Sequence, residues 1–452
     1  MVSNLRKDRL GRWLRRSKSW IVAVGLALTF FGPTATSAQP PAPQPALVTE
    51  GRQVWEPHLK SLEASLERAR GLKFKRPVQV RYCSQREAVE YLQGDYERSK
   101  KVEVEKRREL FFRHLGLLKP QEKWMEATQA LYAEQVRGLY DPLNQTLLVV
   151  VDLLEAPRID KMMSSVLDQF NIDLSDLLLV HELCHALQDQ NFNLKDSLLA
   201  AQGNLDRELA LSAAVEGDAT QAMFDYLAQA MGLESQIFTN YLTSSSQLLE
   251  AGLANYPQLE KSSLIVRSLV VMPYFEGWRY TQTLRQLGGQ KEVDRSLQAY
   301  PLSTEQILHP QKFIQNSDPA LSLDLSRWPA LIGEYRSLGQ DSAGEYVVRV
   351  WASSYPDLQA QASRIAQGWA GDSFQIYLNP QGRSFGLWAT LWDSQGDRQE
   401  FTQALRAALG NRVTIQERER MALATLDAPL ELQAELRQLL AQPQIEVRPL
   451  QH

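Results

Sequence analysis

The sequence predicts an α+β protein: a mostly helical body with a small sheet, followed by a smaller α+β domain at the C-terminus. Three observations carry that expectation. Apolar residues recur at helical spacing through 48–73, 175–191 and 206–231. A strongly β-forming run, Thr146 to Val151, follows the turn-forming Asp141-Pro142-Leu143-Asn144. After about Pro319 the pattern over 345–440 becomes strand, helix, strand, strand, helix, strand, strand, helix, ferredoxin-like in order. The chain has 452 residues, 44% hydrophobic and 23% charged, enough to bury sizeable cores. Wholesale disorder and collagen-like order are excluded.

Taken in order, residues 1–38 read as a signal peptide. Arg6, Lys7, Arg9, Arg12, Arg15, Arg16 and Lys18 face a single acid, Asp8. An apolar run from Trp20 to Phe31 and the small residues Thr36-Ser37-Ala38 follow. The apolar run is shorter than the about 20 residues a bilayer span needs. Cleavage after Ala38 is therefore expected, with an uncleaved inner-membrane anchor as the alternative. The product would be exported, periplasmic or extracellular in a bacterial cell, with no membrane span in the mature chain. Residues 39–46 hold Pro40, Pro41, Pro43 and Pro45 and read as an extended linker. Residues 47–320 form the expected catalytic domain and 321–452 the accessory domain. Net charge is −4 and becomes more acidic without the leader, which argues against a nucleic-acid partner.

The body opens with an amphipathic helix over Val48–Lys73, carrying Trp55, Leu59, Leu62 and Leu66 on one side. A short strand follows from Pro77 to Tyr82, then a helix from Ser84. The charge-dense stretch Glu97–Glu109 reads as a solvated helix face. Gln135–Val151 forms a hairpin. Ser175 caps a helix running to about Asn191, and a long helix spans about Asp206–Met231. Further helices lead to Leu287, where Gly288-Gly289 stops the last. In the C-terminal part, Val347–Trp351, Phe374–Tyr377 and Ser384–Leu391 are strand candidates. Asp357–Gly368 and Asp397–Leu409 are the intervening helices. Whether residues 47–130 act as a prosegment stays open.

The informative stretch is His181-Glu182-Leu183-Cys184-His185. Residues four apart share a helix face, so the two imidazoles can grip one metal ion and Glu182 can reach a water upon it. Two imidazoles and a carboxylate suit Zn2+, with one position left for water. A metzincin would need Gly at 188 and His or Asp at 191, where this chain has Gln188 and Asn191. The third ligand is instead expected to be Glu216 in Ala213-Ala214-Val215-Glu216-Gly217-Asp218-Ala219, with Glu208 and Asp218 as fallbacks. Gly217 suggests close approach to the zinc helix.

These residues, with Gly138-Leu139-Tyr140-Asp141-Pro142, His181–Gln190, Ser303-Thr304-Glu305-Gln306-Ile307-Leu308-His309-Pro310 and Gly368-Trp369-Ala370-Gly371-Asp372, resemble the gluzincin group of zinc metallopeptidases. Within it the chain is similar to a group of bacterial exported metallopeptidases. The resemblance implies a zincin-like catalytic domain with the active-site helix under a sheet. It further implies zinc held by His181, His185 and Glu216, and Glu182 as base. Cys184 departs from the usual motif wording; it faces away from the histidines and reads as a small buried hydrophobe. A Cys83–Cys184 bridge is open in an oxidising compartment.

The expected activity is hydrolysis of a protein or peptide substrate by a zinc-bound water that Glu182 deprotonates, the proton passing to the leaving amine. The oxyanion needs a further donor. Candidates are His309, alternatively a helix-end cap, and Tyr140, alternatively a turn tyrosine. Asp189 reads equally as a group orienting a ligand imidazole or as a surface charge. Tyr274, Phe275, Trp278 and Tyr280 read as core. Three alternatives stand. The chain is a degenerate zincin that binds zinc or a partner in the cell envelope without cutting; or it acts through its C-terminal domain; or it hydrolyses a non-peptide amide.

Overall fold

Period-two alternation along the strands and 3.6-residue periodicity along the helices build separate hydrophobic clusters against the faces of the sheets. The computed structural model describes residues 45–98, 101–135, 138–151, 173–235, 260–315, 320–441 and 445–450. The expected signal peptide and most of the linker lie outside them. The described chain is mixed α and β and forms two compact units. One is drawn from Met1–Tyr96, Gln129–Lys195 and Asp218–Lys261, the other from Glu97–Thr128, Asp196–Gly217 and Ser262–His452. The units interleave along the chain, whereas the sequence suggested one boundary near 320.

The first unit is layered around a three-stranded sheet. Its strands are β1 (Gln79–Cys83), β2 (Gly138–Asp141) and β3 (Thr146–Val150), in the order β1-β3-β2. β1 runs parallel to β3 and β2 antiparallel to it. One face of the sheet (Tyr82, Tyr140, Leu147, Val149) shares a core with Leu59, Leu62 and Leu66 of the N-terminal helix Pro45–Arg70. Leu179, Val180, Leu183 and Leu187 of the helix Leu174–Phe192 complete it. The opposite face (Cys83, Leu139, Leu148, Val150) packs on Ala88 and Tyr91 of the helix Gln85–Arg98. The alternation of side chains across the pleat sends these two sets to opposite layers. The expected hairpin is present: Asp141 Oδ1 accepts the backbone N–H groups of Leu143 and Asn144 at 2.8 and 3.2 Å. The helix carrying the histidines is capped by Asp173, not Ser175; the Asp173 side chain accepts from the N–H of Ser175.

The second unit is built on an eight-stranded sheet. Its strands are β4 (Leu321–Asp324), β5 (Leu331–Ile332), β6 (Tyr335–Asp341), β7 (Trp369–Leu378), β8 (Ser384–Trp392), β9 (Val413–Arg418), β10 (Met421–Leu426) and β11 (Glu446–Pro449). The main order is β11-β4-β7-β8-β10-β9, with β6 pairing β7 and β5 pairing β6. One face packs on Leu436 and Leu440 of the helix Gln433–Ala441. On the other, Phe111 of the helix Lys101–His114 stacks on Phe374 with centroids 3.8 Å apart and meets Trp388 edge-on.

Three expectations need correction. Val347–Trp351 lies in a helix, Gly344–Ser353, not a strand. Its start is held by Asp372 on β7, whose carboxylate accepts from the Ser342 hydroxyl and the N–H groups of Ala343 and Gly344. The charged stretch 97–109 is a solvated face only in part: of its described charged side chains Glu103 and Lys106 are exposed. Arg107 and Arg108 are buried and both donate to Asp341, at 3.2 and 2.9 Å, while Arg108 also pairs with Glu208 at 2.8 Å. Gly217 approaches the helix Leu264–Gly288 instead of the histidine helix: a Cβ on Gly217 would sit 2.1 Å from the carbonyl oxygen of Gly277, and one on Gly277 2.1 Å from that of Ala213. Tyr274, Trp278 and Tyr280 on that helix are core, as expected. Cys83 and Cys184 are both free, buried thiols, so the bridge is not formed.

Two outcomes follow. Gly277→Ala forces two helix backbones apart and should destabilise by about 3 kcal/mol or more, read by urea unfolding; a midpoint unchanged from wild type would refute the close approach. Burial raises the Asp206 carboxyl from 3.8 to about 7, against hydrogen bonds from Thr304 that lower it. An acid whose folded-state pKa is raised costs stability as pH climbs from its unfolded to its folded value. Stability should therefore fall between about pH 4 and pH 7 through this group, and Asp206→Asn should flatten that part of the stability–pH curve.

Candidate metal centre

The helix Leu174–Phe192 is buried on all sides: every residue from 175 to 190 is buried. His181, Glu182 and His185 are at most 2% exposed. Spacing of one turn brings the rings together edge-to-face, with centroids 4.6 Å apart and planes at 86°. Their Nε2 atoms are 3.0 Å apart, and a ligand atom of Glu182 lies within 4.8 Å of both. Two nitrogens bound tetrahedrally at zinc distances are about 3.3 Å apart, so the pair fits one ion. Among the described residues this is the one group of three or more His, Cys, Asp or Glu so arranged.

Glu182 and His185 are each held by a neighbour. Glu182 Oε2 accepts the backbone N–H of Tyr140 on β2 at 2.7 Å. A Cβ on Gly138 would lie 3.3 Å from Glu182 Cγ, so the glycine lets the strand close over the carboxylate. His185 Nδ1 meets Gln188 Oε1 at 2.9 Å. The Gln188 amide nitrogen donates to Asp218 at 2.9 Å, and Arg70 Nε pairs with Asp218 at 2.8 Å, both side chains 2% exposed. Sequence reasoning missed Gln188 and Arg70. The i, i+3 spacing of Gln188 from His185 was a usable signal; nothing in the sequence links Arg70 to Asp218.

The remaining candidates fall differently from expectation. Asp218, a fallback ligand, is engaged by Arg70 and Gln188. Asp189 does not orient an imidazole. Its buried carboxylate accepts the Tyr140 hydroxyl at 2.9 Å, with Gln145 and Arg76 at 3.4 and 3.5 Å. Burial raises the Asp189 pKa, and these donors oppose that. Burial, then Asp189, lift the Tyr140 phenol above its ordinary range. The hydroxyl expected to serve as an oxyanion donor is thus committed to Asp189, while the backbone N–H of Tyr140 serves Glu182. His309 belongs to the second unit, where it ends the helix Thr304–Leu308 and its Nε2 pairs with Glu345 at 2.9 Å. Its ring is committed to that carboxylate. Glu208 pairs with Arg108. Glu216 is 1% exposed on the helix Leu205–Ala230 and lies outside the His181–Glu182–His185 group.

The first unit therefore carries a buried His–Glu–His cluster whose ligand atoms lie close enough together that they could hold a metal ion. Residues 333–435, within the second unit, match a domain of unknown function, DUF8575. No curated protein matches the chain. One solved structure, described as that of a candidate hydrolase with a novel fold from Chloroflexus aurantiacus, aligns with 66% of this chain and 96% of its own at 16% identity. The TM-score is 0.35, and that likeness carries no argument. No described helix is long and apolar enough to cross a membrane.

Tyr140→Phe should leave the buried Asp189 short of its nearest donor and cost about 1–3 kcal/mol in urea unfolding. An unfolding midpoint equal to that of wild type would refute this role for the hydroxyl.

Proposed function

We propose that the chain is an exported zinc metallopeptidase of gluzincin type. The observation that carries the reading is the pair of imidazole Nε2 atoms 3.0 Å apart on one buried helix, with the Glu182 carboxylate beside them. In this reading His181 and His185 hold the ion through Nε2, and Glu216, a buried carboxylate on the following long helix, is the third ligand. Bound zinc supplies Lewis acidity toward a water and a peptide carbonyl. Glu182 accepts the proton of the attacking water on its carboxylate and delivers it to the leaving amine, so its charge cycles without net change. The Tyr140 N–H holds that carboxylate in one rotamer, which spares the reaction the cost of ordering it. Burial keeps bulk water from the pair. A site meant only to bind metal has no need of Glu182, which favours hydrolysis over a purely structural role. Export rests on residues 1–38 of the sequence.

The test is metal content and peptide hydrolysis of the purified chain. About one zinc per chain is expected, lost in His181→Ala and reduced in Glu216→Ala. Glu182→Gln should keep zinc and lose hydrolysis by at least about 100-fold. Equal zinc in wild type and Glu216→Ala would move the third ligand elsewhere. No zinc in wild type after resupply would end the peptidase reading.

A further inference from the structure

The metal-facing edge of an imidazole is decided at its other nitrogen. A neutral histidine carries one proton, and whichever nitrogen holds it cannot ligate. At His185 the partner of Nδ1 is Gln188 Oε1 at 2.9 Å. An amide oxygen only accepts, so this contact places the proton on Nδ1 and leaves the Nε2 lone pair facing His181. That holds only if the Gln188 amide cannot turn over. A flipped amide would present N–H groups to Nδ1 and favour the opposite tautomer.

What prevents the flip is on the far side of the amide. Gln188 Nε2 donates to Asp218 Oδ2 at 2.9 Å, and a carboxylate cannot donate in return. Turning the amide would set oxygen against oxygen in a buried site. Asp218 is itself fixed by Arg70, whose Nε lies 2.8–2.9 Å from its oxygens. Removing one partner of a buried ion pair strands the other. The order of control therefore runs from the last residue of the N-terminal helix to a carboxylate on the long helix, then to an amide and a ring proton.

We propose that Arg70, Asp218 and Gln188 are positioning residues that fix the Nδ1–H tautomer of His185 and thereby set the metal affinity of the site. The affinity part rests on the zinc reading above; the tautomer part does not.

The experiment uses the purified chain with 15N-labelled histidine, of which it has only six. Nitrogen chemical shifts in the metal-free protein report each ring's tautomer, and chelator competition gives the Zn2+ dissociation constant. Wild type should show His185 protonated at Nδ1. Gln188→Leu, which leaves the Arg70–Asp218 pair in place, should show mixed tautomers and bind Zn2+ about 10–100-fold more weakly. Asp218→Asn should weaken binding in the same direction. A merely structural role would lower the unfolding midpoint without moving the nitrogen shifts of the folded fraction. His185 protonated at Nε2 in metal-free wild type would overturn the proposal, even if neither variant folds. So would equal Zn2+ affinity in wild type and Gln188→Leu, with the zinc reading left standing. If wild type binds no Zn2+, the zinc reading falls, and the tautomer shifts alone decide the relay.

Discussion

A helix buried on every side is destabilised by each polar side chain left without a partner, and that constraint organises the first unit. The helix Leu174–Phe192 holds a histidine pair, a glutamate, two glutamines and two aspartates in its buried stretch. Each unsatisfied buried group would cost about 1–3 kcal/mol. The surroundings supply the partners. Asp176 meets His58 at 2.5 Å, Glu182 takes an N–H from β2, and Asp189 takes a phenol. Gln190 accepts the backbone N–H groups of Lys75 and Arg76, and Asn191 donates to the carbonyl of Lys73. The residues after the second histidine thus tie down the turn between the N-terminal helix and β1. The histidine pair is held in place because its neighbours on the same helix are pinned from several directions.

The second unit solves a similar problem with acids. Asp372 accepts from two backbone N–H groups, a hydroxyl and the indole N–H groups of Trp369 and Trp388. Asp341 takes Arg107, Arg108 and the backbone N–H of Leu205. Asp206 takes both the N–H and hydroxyl of Thr304. In the phrases around Thr304 and Asp372 the polar groups fasten helix starts: Asp206 on the long helix holds the start of Thr304–Leu308, and Asp372 on β7 holds the start of Gly344–Ser353.

This also explains what the sequence could and could not disclose. Long helices with one apolar stripe, such as 48–73, were legible, as was the hairpin, because each is specified by its own residues. The helix Gly344–Ser353 was not. It is short and rich in β-branched residues, so Val347, Val348 and Val350 read as strand although Glu345, Arg349 and Ser353 recur at helical spacing. What makes it a helix is Asp372, distant in sequence. Arg107 and Arg108 looked solvated because their partner Asp341 comes from another part of the chain. At the site, His181, Glu182 and His185 were legible from spacing alone. The roles of Gln188, Asp189 and Tyr140 depend on which atoms face one another, and a one-dimensional pattern does not record that.

The placement of the N-terminal helix bears on how the chain could mature. Many secreted hydrolases are held dormant by a leading segment that is later clipped off. Here the helix ending at Arg70 contributes Leu59, Leu62 and Leu66 to the core shared with the histidine helix, and its last residue pairs with Asp218. Excising it would expose that core and strand a buried carboxylate. A cut in the chain that leaves the histidine helix packed therefore has to fall ahead of this helix.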